Sequence, residues 1–205
     1  MKKFCHDINC PYFTTVANYT EFEVREYAAQ YWISTTLGEG LQRSQEQGFY
    51  RLFNYISGSN KQKQSVDMTA PVLNSASSTS VVSGNFTISF YFPYIYQNPS
   101  SLTKPDPSSA DTFIQLIPAR RVAVYSFSGF ENNSNVNQFL LKLQGLLKEK
   151  SIKFDESKFV LAGYDPPFRL FNVCFLPIFF FFIHIFSSTF HFWTQRHNEI
   201  WVDLI

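Results

Sequence analysis

Hydrophobic residues in this chain recur with the period of a β-strand in most segments, but with the period of an α-helix in two of them. The clearest strand is residues 85–92, NFTISFYF, in which Phe or Ile occupies every second position. The two helical segments, residues 42–57 and 136–150, are each preceded and followed by strand-like sequence. The order strands, helix, strands therefore occurs twice. It predicts a duplicated α+β unit, with a curved sheet or partial barrel and two helices packed on it.

The first predicted helix has an apolar face and a separate polar stripe. It is expected to end at Gly58. The apolar face consists of Leu41, Gly48, Phe49, Leu52, Phe53 and Ile56. The polar stripe consists of Arg43, Gln47, Tyr50, Arg51 and Asn54. The second predicted helix also has an apolar stripe, with Ser134 as its expected N-cap.

The remaining segments predict further strands and one long loop. Residues 21–37 are predicted to form two strands or one bent strand. Residues 66–73, VDMTAPVL, are predicted as a strand in which Pro71 marks an edge or a bulge. Residues 93–111 are rich in proline and serine and are predicted as loop. Strand character resumes at residues 112–117, 120–130 and 158–172.

Charge and cysteine content limit the classes of function. A formal net charge of +1 provides no field that attracts nucleic acid. The three cysteines are too few for a disulfide scaffold and too irregularly spaced for a zinc site. Cys5 and Cys10 can bridge locally if the protein is exported, but two free thiols are equally compatible with the sequence. No nucleophile–base pattern points to catalysis, so we expect a protein that is not an enzyme.

Four blocks resemble, in order and spacing, the SOUL or heme-binding-protein family, in a form similar to its plant members. They are FEVREYAAQYWIST, GFYRLFNYISGSN, VDMTAPV and AGYDPPFRLFN…RHNEIWV. The resemblance implies a distorted antiparallel β-barrel of about eight strands with two flanking helices. It implies one domain over residues 21–205 after an N-terminal segment of residues 1–20. It also implies reversible, non-catalytic binding of heme or another tetrapyrrole, as a carrier or buffer, in a cleft beside the first helix.

The predicted ligand-binding residues follow from that cleft. A porphyrin presents a wide apolar face and two propionates, so it needs flat contacts and cations at one rim. Arg43 and Arg51 are expected to pair with propionates, and Tyr50 and Met68 are expected to contact the ring. The predicted set is Arg43, Gln47, Tyr50, Arg51, Asn54 and Met68. The plainer interpretation is a solvated helix face and a methionine packed in the core.

Glu26 departs from the family pattern. Some members carry a histidine directly after the arginine of the first strand, where it is proposed to bind iron. This chain has Glu26 there, in VREY, so the resemblance does not carry a histidine ligand over. We therefore expect heme as a bound ligand, without a metal site of the protein's own.

Residues 173–195 interrupt the resemblance. Val173 to Trp193 contain no Asp, Glu, Lys or Arg, and a segment of this length and apolarity fits a membrane span. A single crossing, however, would separate the last strand from its partner, because FRLFN and RHNEIWV resemble the two strands of one family hairpin. We interpret residues 173–195 as a hydrophobic insertion that comes from a retained intron. A membrane anchor is the alternative.

Location and partners depend on these interpretations. The N-terminus has no apolar run of the length that a signal peptide needs, which indicates the cytoplasm unless an upstream signal peptide is missing. If an upstream signal peptide is missing from this chain, the protein is extracellular. The hydropathy of residues 173–193, taken by itself, would suggest a membrane location. We expect a monomer that binds a tetrapyrrole. The alternative function is a protein-interaction module that acts through the second helix or the 93–111 loop.

Overall fold

The computed structural model of the protein describes residues 3–38, 40–98, 100, 102–165 and 196–205. The predicted insertion at residues 173–195 and the strand predicted immediately before it, residues 168–172, lie outside the described residues.

The described residues form nine β-strands and two α-helices. In chain order these are β1 Phe13–Asn18, β2 Glu23–Tyr27, β3 Gln30–Leu37, α1 Leu41–Ile56, β4 Val72–Ala76, β5 Phe86–Tyr91, β6 Thr112–Ile117, β7 Arg120–Ser128, α2 Asn133–Glu149, β8 Val160–Gly163 and β9 His197–Asp203. Short 3-10 helices lie at Lys3–Cys5 and Tyr94–Tyr96. Residues 21–37 contain two strands rather than one bent strand.

All nine strands belong to one antiparallel sheet that curls into a half-barrel. Its strand order is β1-β2-β7-β9-β8-β4-β5-β3-β6. The predicted α+β class, with two helices on a curved antiparallel sheet, is confirmed, and nine strands are close to the expected eight. Strand β9 pairs with β7 on one side and with β8 on the other, so residues 197–203 lie in the interior of the sheet.

Each helix covers one half of the concave sheet. Helix α1 packs on β3 and β5, whereas α2 packs on β7 and β9. The apolar stripe predicted for α2 is buried at Val136, Leu140, Leu143 and Leu147. At α1 the contact is so close that a Cβ atom at Gly48 would lie 2.6 Å from Cγ1 of Ile88. Gly48 therefore sets the distance between α1 and the sheet.

The opposite face of the sheet packs against the N-terminal segment. This second core includes Trp32, Tyr164 and Trp201 together with Cys5 and Cys10. Cys5 and Cys10 form a disulfide bond, which decides between the two states that the sequence left open. The segment is fixed further by Asn9, whose carbonyl oxygen accepts a 3.1 Å hydrogen bond from the backbone N–H of Ala70.

Two local predictions were wrong. Strand β4 begins at Val72 rather than at residue 66, and it is an inner strand, not an edge. Strand pairing cannot begin earlier, because Pro71 has no N–H to donate. The N–H of Ala70 is also engaged, since it donates to the carbonyl oxygen of Asn9 in the N-terminal segment. The N-cap of α2 is Asn132 rather than Ser134, because Asn132 and Asn135 exchange side-chain-to-backbone hydrogen bonds of 2.9 Å in a capping box.

The apolar face of α1 also differs from the prediction at two positions. Phe53, predicted to be buried, is 39% exposed, whereas Tyr55 is buried and donates a 2.5 Å hydrogen bond to the carbonyl oxygen of Pro105. None of the helices in the described residues has the length and apolarity required to cross a bilayer.

Candidate functional site

A cavity of about 510 Å³ lies beside the N-terminal half of α1. Its other walls come from β4, from the two residues before the N-cap of α2, and from the chain at the end of β8 and the start of β9. Helix α1 contributes residues spaced as one helical stripe, namely Gln42, Gln45, Glu46, Phe49 and Tyr50. The cavity thus lies where α1 and the segment before α2 approach strands β4 and β8.

Three aromatic side chains contribute to the cavity wall beside its polar and charged residues. Phe49 and Tyr50 approach from α1, and Phe130 approaches from the segment before α2. Phe49 is buried, while Tyr50 and Phe130 are exposed by 57% and 55%. The guanidinium carbon of Arg196 lies 4.6 Å from the ring centroid of Phe130, in a cation–π contact. The wall therefore presents flat apolar surface with one cation beside it.

Glu131, which directly precedes the N-cap of α2, is a partly buried acidic residue of the cavity wall. Its Oε2 accepts a 2.5 Å hydrogen bond from Nε2 of Gln45. Burial raises the pKa of Glu131, while the hydrogen bond from Gln45 and the charge of Arg196 act in the opposite direction. A Cβ atom at Gly163 would lie 3.0 Å from Oε1 of Glu131, so the glycine leaves room for this carboxyl group.

Asp165 connects the cavity to the N-terminal segment. Its Oδ2 accepts a 2.9 Å hydrogen bond from the backbone N–H of His197, and its Oδ1 lies 3.2 Å from Nε2 of His6. His6 belongs to the short loop closed by the Cys5–Cys10 disulfide. One wall of the cavity is therefore held in place by residues from the opposite face of the sheet.

Asn74 lies on β4 and lines the cavity between the two halves of the sheet. The residue is 2% exposed. Its Nδ2 faces the carbonyl oxygen of Leu161 at 3.4 Å, whereas its Oδ1 has no hydrogen-bond partner among the described residues. A buried acceptor without a partner is uncommon, because it forfeits the hydrogen bond that water would supply.

The six sequence-predicted site residues lie in three different places. Tyr50 lines the cavity. Arg51 and Asn54 line a smaller cavity of about 190 Å³ on another side of α1. There Nη1 of Arg51 is 3.4 Å from Oγ1 of Thr35 and 4.0 Å from Oδ2 of Asp111.

The other three predicted residues line neither of these two cavities. Arg43 and Gln47 are exposed on α1, on the stripe next to the one that faces the larger cavity. Met68 is half-buried and packs against the core.

Sequence reasoning missed most of the residues that line the larger cavity. Asn74 gave a usable signal, because an amide within the apolar strand VLNSA needs a hydrogen-bond partner. Phe130 gave none, since it was read as the end of a strand, and Glu131 was assigned to no predicted element. Arg196 was read as part of the last hairpin, and only the fold brings it to the cavity.

Glu26, at the position where the sequence resemblance raised the question of a histidine ligand, lies at the surface. It forms an ion pair with Arg121 on β7, and the two side chains are 44% and 57% exposed. Within the described ranges no group of three or more His, Cys, Asp or Glu side chains is placed to hold a metal ion.

The sequence comparisons with known proteins agree on one family. The sequence model described as "SOUL heme-binding protein" matches residues 8–173. Mouse Heme-binding protein 2 is 35% identical over 153 residues, covering 73% of this chain and 72% of the relative. Human Heme-binding protein 2 is 32% identical over 154 residues, covering 74% and 73%. Heme-binding protein 1 of Xenopus laevis is 29% identical over 151 residues, covering 72% and 77%.

Solved structures show the same fold at low sequence identity. The crystal structure of the EcmrR C-terminal domain superposes with a TM-score of 0.61 at 8% identity, covering 90% of this chain and 97% of that one. Because the identity is so low, this likeness concerns the fold alone. The matched family range and the curated relatives establish more: the chain belongs to the SOUL heme-binding protein family.

Proposed function

We propose that the protein binds heme or another tetrapyrrole reversibly and without catalysis, in the cavity beside α1. The observation that carries the proposal is an aromatic-walled cavity of about 510 Å³ in a chain of this family. Ligand pockets in proteins commonly measure about 300–1,000 Å³ and are lined mainly by apolar and aromatic groups. The cavity has this size and this character.

The aromatic walls suit the flat face of a tetrapyrrole ring. Phe49, Tyr50 and Phe130 approach from two elements, α1 and the segment before α2. A large π-system packed among aromatic side chains gains both buried apolar area and favourable ring contacts. Tyr50 and Phe130 are each more than half exposed, so each has surface that a ligand can bury.

The charges around the cavity favour one orientation of the ligand. Glu46, Glu131 and Asp165 would repel a propionate placed inside, whereas Arg196 would attract one at its wall. A guanidinium group matches a carboxylate with two parallel hydrogen bonds. We therefore place the propionates towards Arg196 and the mouth of the cavity, with the apolar part of the ring inside.

The same contacts favour release as well as binding. The attraction consists of apolar burial and an ion pair at the rim, and neither forms a covalent link. A ligand held in this way exchanges with other sites, which is what carrying or buffering a tetrapyrrole requires. We therefore propose a carrier rather than an enzyme that retains its heme.

Hemin titration of the full chain tests this proposal. The account predicts saturable binding of one hemin per chain with a shift of the Soret band. Arg196→Glu reverses the charge that faces a propionate and should weaken binding about tenfold, which corresponds to about 1.4 kcal/mol.

The matched control is Lys153→Glu, which makes the same change in net charge at an exposed position outside the cavity. It should change the dissociation constant less than twofold. Absence of a saturable Soret shift in the wild-type chain would reject the proposed function.

A further inference from the structure

The Cys5–Cys10 disulfide indicates the kind of compartment in which this chain folds. It joins two side chains that are 2% and 6% exposed, and both belong to the second core together with Trp32 and Trp201. A disulfide buried in this way is part of the folded structure rather than an exposed, transient link. Structural disulfides form and persist in the secretory pathway and outside the cell, and they are rare in cytosolic proteins. The bond therefore favours an exported chain.

Export gives meaning to a motif that a cytosolic chain would carry by coincidence. In the secretory pathway the asparagine of Asn-X-Ser/Thr is an acceptor for a glycan, provided that X is not proline. Three such sequences occur in the chain, and they begin at Asn18, Asn85 and Asn132. A glycan is bulky and hydrophilic and stays attached after folding, so the folded surface must leave room for it. The structure therefore distinguishes between the three sequences.

The sequence that begins at Asn18 is exposed over its whole length. Asn18 is the last residue of β1, and its backbone pairs with that of Glu23 at the start of β2. Tyr19 and Thr20 follow in the connecting turn, where the N–H of Tyr19 donates a 2.9 Å hydrogen bond to the carbonyl oxygen of Phe22. All three residues of the motif are exposed. A glycan on Asn18 would therefore start at the surface, at the tip of a hairpin.

The other two sequences fit the fold less well. Asn85 is exposed, but the residue that follows it, Phe86, is 1% exposed and lies in the inner strand β5. Asn132 is the N-cap of α2, where its Oδ1 accepts a 2.9 Å hydrogen bond from the helix backbone. A glycan on Asn132 would also start directly beside Glu131, in the wall of the cavity. Asn18 is therefore the acceptor that the fold favours.

Strand β1 is one edge of the sheet. It pairs with β2, and no other described strand pairs with it. The unpaired backbone groups of an edge strand can bind the edge of another molecule, and proteins usually prevent this with charged residues, proline or a bulge. The sequence of β1, FTTVAN, contains no charged residue and no proline. A register shift between Thr15 and Ala17 interrupts the strand, but no charge protects its edge.

We infer that Asn18 is an N-glycosylation site and that its glycan shields the free edge of β1. In the transfer, the amide nitrogen of Asn18 forms a bond to the anomeric carbon of an oligosaccharide that is carried on a lipid diphosphate. The bond between that carbon and the diphosphate oxygen breaks, and the lipid diphosphate leaves with the electron pair and takes up the proton lost from the amide. The transferase of the secretory pathway supplies this donor. The inference is independent of tetrapyrrole binding, because Asn18 lines neither of the two cavities described above.

Production of the full chain in a eukaryotic cell, behind a cleavable secretory signal sequence, tests the site. Peptide N-glycosidase releases the glycan and converts the modified asparagine to aspartate. The enzyme should increase the electrophoretic mobility of the wild-type chain and leave aspartate at position 18 in the mass spectrum. Thr20→Ala removes the acceptor motif but keeps the asparagine, so position 18 should stay asparagine. Ser134→Ala, which removes the motif at Asn132, is the matched control and should not change the result at position 18.

Two results would overturn the inference. Unmodified Asn18 in the exported wild-type chain overturns the site. In the native chain isolated from its own tissue, free thiols at Cys5 and Cys10 together with unmodified Asn18 overturn both export and glycosylation. Neither result bears on tetrapyrrole binding, which the hemin titration tests separately.

Sedimentation measurements test the shielding role. The glycosylated wild-type chain should stay monomeric at concentrations at which the unglycosylated Thr20→Ala chain self-associates. Val16 is 44% exposed on the same edge strand, so adding Val16→Lys to Thr20→Ala places a charge there and should restore the monomer. Equal sedimentation of the wild-type and Thr20→Ala chains would contradict shielding by the glycan.

Discussion

Arg25 on β2 and Glu199 on β9 form a buried, two-pronged ion pair across a sequence separation of 174 residues. Nη1 and Nη2 of the arginine each lie 2.9 Å from one oxygen of the carboxylate. Arg25 is 1% exposed and Glu199 is 0% exposed. The guanidinium group also lies over the ring of Phe13 at 4.1 Å. The pair therefore joins the N-terminal part of the sheet to its central C-terminal strand.

Glu199 is the centre of a wider hydrogen-bond network. Its Oε2 accepts from the hydroxyl of Tyr164 at 2.9 Å and from Nε1 of Trp201 at 2.7 Å. Its Oε1 lies 2.7 Å from Nε2 of His197. Both oxygens are thus satisfied, which is the condition under which a carboxylate remains stable inside a protein.

Replacing Glu199 by glutamine should destabilise the fold strongly. The amide cannot neutralise Arg25, which would keep the partly exposed Glu23 as its carboxylate partner. The cost should therefore approach that of a broken buried pair, about 3–5 kcal/mol, without exceeding it. The measurement is the free energy of unfolding from denaturant titration. Glu26→Gln is the control, because it breaks the exposed pair with Arg121 and should cost about 1 kcal/mol or less. Equal effects of the two substitutions would contradict this account of the buried pair.

The same pair predicts a loss of stability in acid. Burial alone would raise the pKa of Glu199, but the hydrogen bond from His197 and the charge and hydrogen bonds of Arg25 outweigh it and lower the pKa to about 2 from 4.5. The pKa of Glu199 is lower in the folded chain than in the unfolded chain. Between pH 2 and pH 4.5 the unfolded chain therefore binds more protons than the folded chain. The contribution of Glu199 is therefore complete above about pH 4.5 and disappears as the pH falls towards 2.

Unfolding measurements between pH 2 and pH 7 check this dependence. The difference in stability between the wild type and Glu199→Gln should be constant in the neutral range and should shrink steadily below about pH 4.5. A difference that stays the same down to pH 2 would show that the carboxylate charge does not carry the stabilisation.

Gly48→Ala should destabilise the protein although alanine is the better helix former. In an exposed helix the change would stabilise by about 1 kcal/mol. Here the new methyl group would lie 2.6 Å from Ile88, so α1 must move away from β5. Overpacking of this kind costs about 1–3 kcal/mol. Thermal unfolding measures the sign of the change in stability. Gly145→Ala on α2 is the matched control, because a Cβ atom there meets nothing within 4 Å, and it should stabilise the protein.

Local sequence patterns identified most of the elements, although not strand β1, Phe13–Asn18, and not the relations between elements. The strand Phe86–Tyr91 and the two helices follow from periodicity, because burial on one face is imposed residue by residue. The Arg25–Glu199 pair has no local signal, since its members meet only after the sheet has formed. The sequence therefore predicted the α+β class, while the order of the strands required the structure.

The cavity illustrates the same limit. The polar stripe of α1 was predicted from the helical period, and Tyr50 does line the cavity. The cavity, however, is bounded by the neighbouring stripe that begins at Gln42, and its other walls come from β4 and from residues 130–131. A helical wheel identifies exposed positions, but it does not show which of them face another element.

Hemin titration of two neighbouring substitutions on α1 tests the location of the site most directly. Gln42 and Arg43 are both exposed in the first turn of the helix, but only Gln42 lines the large cavity. Gln42→Trp should obstruct the cavity and raise the dissociation constant for hemin at least tenfold, whereas Arg43→Trp should change it less than twofold. Unchanged binding by Gln42→Trp, together with a large loss in Arg43→Trp, would contradict binding in this cavity.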